Sequence, residues 1–268
     1  MKVTPALSYE ERIVAFVDIL GFRSLVAKLP SDPEFHRNLH GALTAIKSVK
    51  SFAGRPNTAQ KEVEASVFSD SIVISGAPSQ LFTVIWTCVN LQSQLLSYGV
   101  VTRGGISRGR TYHKEDLLYG EGIIKAYDLE FKTAIYPRVV VDPALVADVH
   151  DVHRQMLLNL DADGLWYTDP FSLGVLPGNS GDLLEDGWDP HLAFLETFAK
   201  RVDEEIKAAK DAGIAAKWGW MKSKVQEALA FHQKHGNARM WHIMKLTGAF
   251  DKKPTGETES SATPAGQG

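Results

Sequence analysis

The sequence has little cysteine, no long apolar run and no excess of basic charge. Its single cysteine, Cys88, excludes an intramolecular disulfide and a cysteine-based zinc site, and suits a reducing compartment. The formal charge of −3 over 268 residues gives no basic field for nucleic acid. No run of about 18 uncharged apolar residues occurs, so no membrane span is predicted. Because the N-terminal residues also lack an apolar leader, we expect a cytoplasmic protein that binds neither membrane nor nucleic acid.

The order of apolar patterns predicts one main domain with an extension. Residues 10–145 alternate as β-α-α-β-β-α-β-α-β with an antiparallel hairpin inside, which is typical of a ferredoxin-like α+β sandwich. Residues 146–250 are predicted to be a mostly helical extension packed on it, with a helix at 145–157 and amphipathic helices near 191–212 and 214–235. Residues 251–268 lack core-forming side chains and are predicted to be disordered.

Two aspartates stand out against strand-like surroundings. Asp18 ends the apolar run that begins at Ile13 and precedes Gly21, and Asp70 lies in the polar Ser-Asp-Ser turn between two strand patterns. Singly, each has an ordinary explanation as a helix cap or a turn residue. Together, a strand-end and a hairpin-tip carboxylate favour a site for hard divalent cations.

A third segment, residues 100–109, combines a strand pattern with paired glycines and two arginines. Glycines inside a strand indicate the close approach of another backbone or of a ligand. Arg103 and Arg108 are equally well explained as ordinary ion-paired residues or as functional cations.

Over residues 10–145 these segments, in this order, resemble the class III nucleotidyl cyclases, the fold of adenylyl and guanylyl cyclases. The resemblance is carried by residues 16–22 (FVDILGF), 68–70 (FSD) and 103–109 (RGGISRG), and more loosely by 119–130. The compact size, the strand at 137–142 and the helical C-terminal part are more similar to the bacterial pyrimidine cyclases of Pycsar antiphage systems.

The resemblance implies a two-metal site and a reaction. Asp18 and Asp70 would hold two Mg²⁺ or Mn²⁺ ions, and the backbone carbonyl of Ile19 would complete one ion's shell. Backbone groups around Phe16, Gly21 and Phe22 would cradle the triphosphate. The ribose 3′-oxygen would attack the α-phosphorus and expel pyrophosphate. In this family the site forms between two cyclase units, which implies a homodimer.

Four positions depart from the purine cyclases. Ser66 and Leu117 stand at or near the positions of the two base-reading residues, and Ile124 and Asp128 align with the transition-state Asn and Arg. The transition-state cation must then come from elsewhere, and the candidates are Arg103, Arg108, Lys125 and Arg138. We assign Arg108 a catalytic role, and Ser66 and Arg103 roles in nucleotide binding.

The leading hypothesis is therefore a homodimeric uridylate cyclase that makes an antiphage second messenger, with cytidylate cyclase as the alternative. A competing hypothesis from a different class is a degenerate cyclase-fold domain that binds nucleotide as a dimeric sensor. Loss of the Asn/Arg pair motivates the sensor, and retention of both aspartates argues against it.

Overall fold

The computed structural model describes residues 9–37, 39–41, 44, 63–115, 117–173 and 189–247. Its strands are β1 (Glu10–Ile19), β2 (Glu64–Phe68), β3 (Ser71–Gly76), β4 (Thr102–Lys114), β5 (Leu117–Gly120), β6 (Val139–Val141), β7 (Leu158–Leu160) and β8 (Trp166–Thr168). Its labelled α-helices are α1 (Phe22–Lys28), α2 (Leu81–Ser97), α3 (Glu121–Thr133), α4 (Pro143–Val146), α5 (Asp151–Leu157), α6 (Pro190–Ala208), α7 (Ala212–His235) and α8 (Arg239–Leu246). Residues 33–37, 39–41 and 44 are also helical, and the remainder of that predicted helix lies outside the described residues.

The strands form one sheet in the order β2-β3-β1-β4-β6-β8-β7, with β5 paired to β4. The neighbours of β1, namely β3 and β4, both run antiparallel to it, and β6 runs parallel to β4. The first four strands follow the β-α-β-β-α-β connection with α2 between β3 and β4. The predicted ferredoxin-like α+β fold is therefore confirmed.

Strand β1 is central and separates two layers. Alternate side chains of a strand point to opposite faces, so the fully buried Ile13 and Val17 pack in the large core with α2. Val14 and Phe16 lie on the other face, where they pack with Ala126 of α3. By the same alternation, Asp18 faces the α3 side of the sheet.

The C-terminal part is helical but also extends the sheet. Helices α6 and α7 share a core that includes Leu20 and Val101, close to the predicted bounds of the two amphipathic helices. Strands β7 and β8 were not predicted, since three residues each are too short for a periodic signal.

The predicted helix at 145–157 is in fact two short helices, α4 and α5. The His150 side chain accepts a hydrogen bond from the Val152 N–H and so starts a new helix. The predicted domain boundary at residue 145 stays a prediction. The predicted disordered tail lies within residues 248–268, which are outside the described part of the chain. Among the described helices, none has the length and apolar character needed to cross a bilayer.

Candidate active site

The strand register brings the two predicted metal aspartates to one end of the sheet. Asp18 lies opposite Ser71 of β3, and the Ile19 N–H donates to the Asp70 carbonyl at 3.0 Å. Asp70 is the second residue of a two-residue hairpin loop whose first residue, Ser69, has φ 56°. A positive φ at that position is what tight hairpin loops require. Asp18, Ile19 and Asp70 are therefore neighbours, as the sequence predicts.

The Asp18 carboxyl group lies in a site with more negative than positive charge. Burial, followed by the charges of Asp70 and Glu130, raises its pKa to about 6, and Arg103 opposes this rise. Its side chain is 22% exposed, so solvent screens these charges only partly. A divalent cation at this place would remove the penalty for ionising Asp18.

Glu130 is a member of the site that the sequence did not reveal. It is buried on α3 and forms an ion pair with Arg103, whose Nε lies 3.9 Å from Asp18 Oδ2. Burial raises the Glu130 pKa and Arg103 lowers it. Gly105 makes this arrangement fit, because a Cβ there would overlap the Ala126 carbonyl of α3. Of the two explanations predicted for the glycines in β4, a nearby backbone or a ligand, the nearby backbone of α3 therefore applies to Gly105.

The donor set of this site fits a metal held together with a nucleotide. Among the residues the structure describes, no three His, Cys, Asp or Glu side chains are grouped to bind a metal by themselves. The chain instead offers the Asp18 and Asp70 carboxylates and the Ile19 backbone carbonyl. Mg²⁺ is commonly bound by one or two carboxylates, with substrate phosphates and waters completing the shell. Mg²⁺ or Mn²⁺ is thus compatible with these ligands.

The residues predicted to cradle the triphosphate lie in two different settings. Gly21 caps α1 with φ 71°, and a Cβ there would meet no atom within 4 Å, so its surroundings are open. Phe22 begins α1 directly after it. Phe16 lies in mid-strand between Val73 and Gly105, so its backbone belongs to the sheet ladder. Gly21 and Phe22 are therefore better placed than Phe16 to meet a ligand.

Ser66 lies under the β4–β5 hairpin in a chain of hydrogen bonds. Its hydroxyl donates to the Glu115 carbonyl at 2.9 Å and bonds His113 Nε2 at 2.9 Å. Since the Ser66 proton goes to Glu115, His113 Nε2 must be the donor in the second bond. His113 Nδ1 bonds Ser75 Oγ, which also accepts from Arg12 Nε. Ser66 can consequently offer a ligand only an acceptor.

The remaining candidate cations are engaged elsewhere within the protomer. Arg108 lies opposite Ile13, five residues along β4 from Arg103, which is about 17 Å in an extended strand, and its Nη2 is 2.7 Å from Asp148 Oδ2. Arg138 has a fully buried side chain paired with two aspartates. Lys125 Nζ lies 3.9 Å from Glu121. The structure does not bring Arg108 to the aspartates of its own protomer.

Ile124 and Asp128, which the sequence comparison aligns with the transition-state Asn and Arg of the cyclases, do not supply a cation. Ile124 is 62% exposed on α3, and Asp128 pairs with Lys132 at 2.9 Å. Leu117, predicted to lie near a base-reading position, is 57% exposed at the start of β5.

No protein-family model and no curated protein matches the chain. Similar solved structures include a bacterial light-regulated adenylyl cyclase, at 20% identity and a TM-score of 0.42, covering 62% of this chain and 53% of that one. A monomeric guanylyl cyclase domain of the RhoGC fusion protein from the aquatic fungus Blastocladiella emersonii is 12% identical with a TM-score of 0.43, covering 60% and 95% of the two chains. An adenylyl cyclase from P. aeruginosa is 14% identical with a TM-score of 0.38, covering 59% and 92%. The match thus spans about half the length of the light-regulated cyclase.

Proposed function

We propose that the protein is a metal-dependent pyrimidine nucleotide cyclase. It converts UTP, or as the alternative CTP, to the 3′,5′-cyclic monophosphate and pyrophosphate. The observation that carries this proposal is the Asp18–Asp70 pair at one sheet end, where carboxylates outnumber the adjacent guanidinium of Arg103. An excess of carboxylate charge suits a polyphosphate substrate that arrives with divalent cations.

The charged groups around Asp18 have different roles in the proposed reaction. In the reaction, the 3′-oxygen forms a bond to the α-phosphorus, and the bond from that phosphorus to the β-phosphate oxygen breaks. Divalent ions would supply stabilisation of the phosphate charge and a lower pKa for the 3′-hydroxyl. Arg103 favours the ionised, ligating form of Asp18 by lowering its pKa. Glu130 positions Arg103 through their ion pair.

Ser66 supports a base site on the same face of the sheet. Its hydroxyl proton is already donated to Glu115, so an acceptor remains for a base. An acceptor is compatible with the N3–H of uracil and the 4-amino group of cytosine, as it is with the N–H donors of purines, so the choice of a pyrimidine rests on the resemblance stated above. A lysine at position 66, as in purine cyclases, would present donors only.

An exposed apolar face on α3 supports a homodimer. Ile124, Tyr127 and Phe131 are 62%, 47% and 67% exposed and share one helix face. This face adjoins the site, since the Tyr127 ring contacts Phe16 at 5.5 Å between centroids. Apolar patches of this kind mark interaction surfaces. The proposed occupant is a second copy, whose Arg108 would supply the transition-state cation, because the Arg103 guanidinium beside Asp18 is paired with Glu130.

The direct test is incubation of the purified protein with Mn²⁺ and each of ATP, GTP, CTP and UTP, with products resolved by mass. We expect a cyclic product from UTP or CTP, and a loss of at least about 100-fold in Asp70→Asn. Product from ATP or GTP alone would overturn the assignment at Ser66. Nucleotide binding without any product would contradict the cyclase proposal and favour the hypothesis of a nucleotide sensor.

The proposal extends to a role in antiphage defence, as in the Pycsar cyclases that the sequence resembles. Cells that express the wild type should accumulate the cyclic pyrimidine nucleotide after infection and resist phage. Cells that express Asp70→Asn should do neither. Equal resistance in both strains would refute the second-messenger role.

A further inference from the structure

A cavity of about 280 Å³ lies between α1 and the C-terminal helices, at the end of β1. Leu20 and Gly21 form part of its wall, so it opens two residues beyond Asp18, which is roughly 7 Å along extended backbone. It is therefore near the metal aspartates but is built partly from residues outside the ferredoxin-like sheet.

The charged side chains of this cavity are mostly basic. Lys28 of α1, Arg201 of α6 and Lys217 of α7 line it, together with the single carboxylate of Glu205. The cavity is thus net positive in a chain whose formal charge is −3. A positive cleft in a negative protein concentrates anions there.

Arg201 differs from the other arginines with unsatisfied buried nitrogens. Its Nε is buried without a hydrogen-bond partner, as are those of Arg103, Arg108, Arg138 and Arg239. In each of those four residues, the guanidinium group forms an ion pair with a carboxylate. No ion pair among the described residues includes Arg201. An unpaired guanidinium group at a cavity wall indicates an anionic ligand.

The Arg201 guanidinium group lies against Gly99 at the end of α2, in space that a Cβ at this position would occupy. Apolar side chains complete the wall and fix the shape of the cavity: Leu25, Val101, Pro137, Ile214 and Trp218. A guanidinium group recognises phosphate oxygens well because its N–H groups form a planar fork.

We propose that this cavity binds the terminal phosphates of the nucleotide, with Arg201 and Lys217 as their ligands. The C-terminal helices α6 and α7 then complete the triphosphate site of their own protomer. This inference rests on the proposed function, since the phosphates are those of the nucleotide held at Asp18 and Asp70.

The first experiment uses inorganic tripolyphosphate, titrated into the full chain by calorimetry without divalent cations. This probe needs neither a base nor a reaction. We expect Arg201→Gln and Lys217→Ala each to weaken binding by about tenfold or more. The control is Lys200→Ala, an exposed lysine on α6 outside the cavity lining, which should bind like the wild type. Thermal melts establish that each variant is folded. No binding by the wild type, or equal binding by all four proteins, would overturn the proposal.

A second measurement separates the substrate's phosphates from an independent anion. UTP or CTP should compete with tripolyphosphate, at one nucleotide per protomer. Binding of both together would mean a separate effector site and would contradict the assignment. If tripolyphosphate binding depends on Arg201 and Lys217 while no nucleotide is ever cyclised, the cavity stands as a phosphate site and the cyclase proposal fails.

Discussion

Asp18 makes the metal-free protein sensitive to pH. Its ordinary pKa of 3.8 rises to about 6 in the fold, chiefly because of burial. A raised carboxyl pKa means that the folded state holds the proton more tightly than the unfolded chain. The stability this provides is complete below pH 3.8 and is lost as the pH rises through about 6. At pH 8 in chelator, we expect Asp18→Asn to be more stable than the wild type and to unfold at a higher temperature. Its gain in the free energy of unfolding should be about 1–2 kcal/mol larger at pH 8 than at pH 5.

The matched control for this variant is Asp128→Asn, which removes an exposed carboxylate that pairs with Lys132 on α3. It should show no gain at pH 8. Mn²⁺ should raise the melting temperature of the wild type more at pH 8 than at pH 5, because bound metal requires ionised Asp18. Equal metal effects at both pH values would refute the assigned role of Asp18.

The residues of the site differ in how far sequence could predict them. Asp18 ends an apolar strand pattern and Asp70 lies in the turn between two such patterns, so both can be recognised from a few neighbouring residues. Glu130 carries no such signal, since a glutamate in an amphipathic helix is usually solvated. It enters the site only because Gly105 lets α3 lie directly on β4. That packing is a long-range event which no local pattern encodes.

At the scale of elements, a buried ionic cluster joins the sheet to α7. The Arg138 guanidinium group, at the start of β6, pairs with Asp161 and Asp163 in the β7–β8 turn. The Trp220 indole N–H of α7 donates to Asp161 Oδ2 at 2.7 Å, and Lys224 Nζ lies 3.4 Å from Asp161 Oδ1. The hydrogen bond from Arg138 lowers the Asp163 pKa.

This cluster predicts a large loss of stability on removing its central cation. Arg138→Met keeps most of the side-chain volume but leaves Asp161, whose side chain is 7% exposed, without its principal partner. We expect a loss of about 3–5 kcal/mol in urea unfolding. Lys222→Met, also on α7, breaks an exposed pair with Asp203 of α6 and should cost less than about 1 kcal/mol. Similar losses in the two variants would show that the cluster does not anchor α7.

The elements that sequence missed share one property, which is that distant contacts define them. The turn at 161–164 was expected, but the partnership of its aspartates with Arg138 joins residues more than 20 positions apart. Strands β7 and β8 exist because they add to the edge of a sheet already formed by β6. By contrast β1, the β2–β3 hairpin and α2 were predicted because their periodicity spans several residues on one face.

At the scale of the whole molecule, the proposed dimer follows from two separate features. The apolar face on α3 needs cover, and Arg103, the cation next to Asp18 among the described residues, is paired with Glu130. Ile124→Glu places a charge in the centre of that face and should give a monomer by light scattering, with activity lost. Leu160→Glu, on the 50% exposed edge residue of β7, should leave mass and activity unchanged. If Ile124→Glu remains a dimer, the interface does not lie on the α3 face.

A shared site also predicts that two inactive variants rescue each other. Asp70→Asn lacks a metal ligand, and Arg108→Ala lacks the proposed cation, so each homodimer should be inactive. In a mixture that exchanges subunits, half of the dimers are mixed, and each mixed dimer holds one intact site of two. Activity should therefore return to about one quarter of the wild-type value. Rescue fails if Arg108 acts within its own chain, since every site then lacks one residue. Ile124→Glu in both partners should abolish the rescue, which ties the recovered activity to the α3 face.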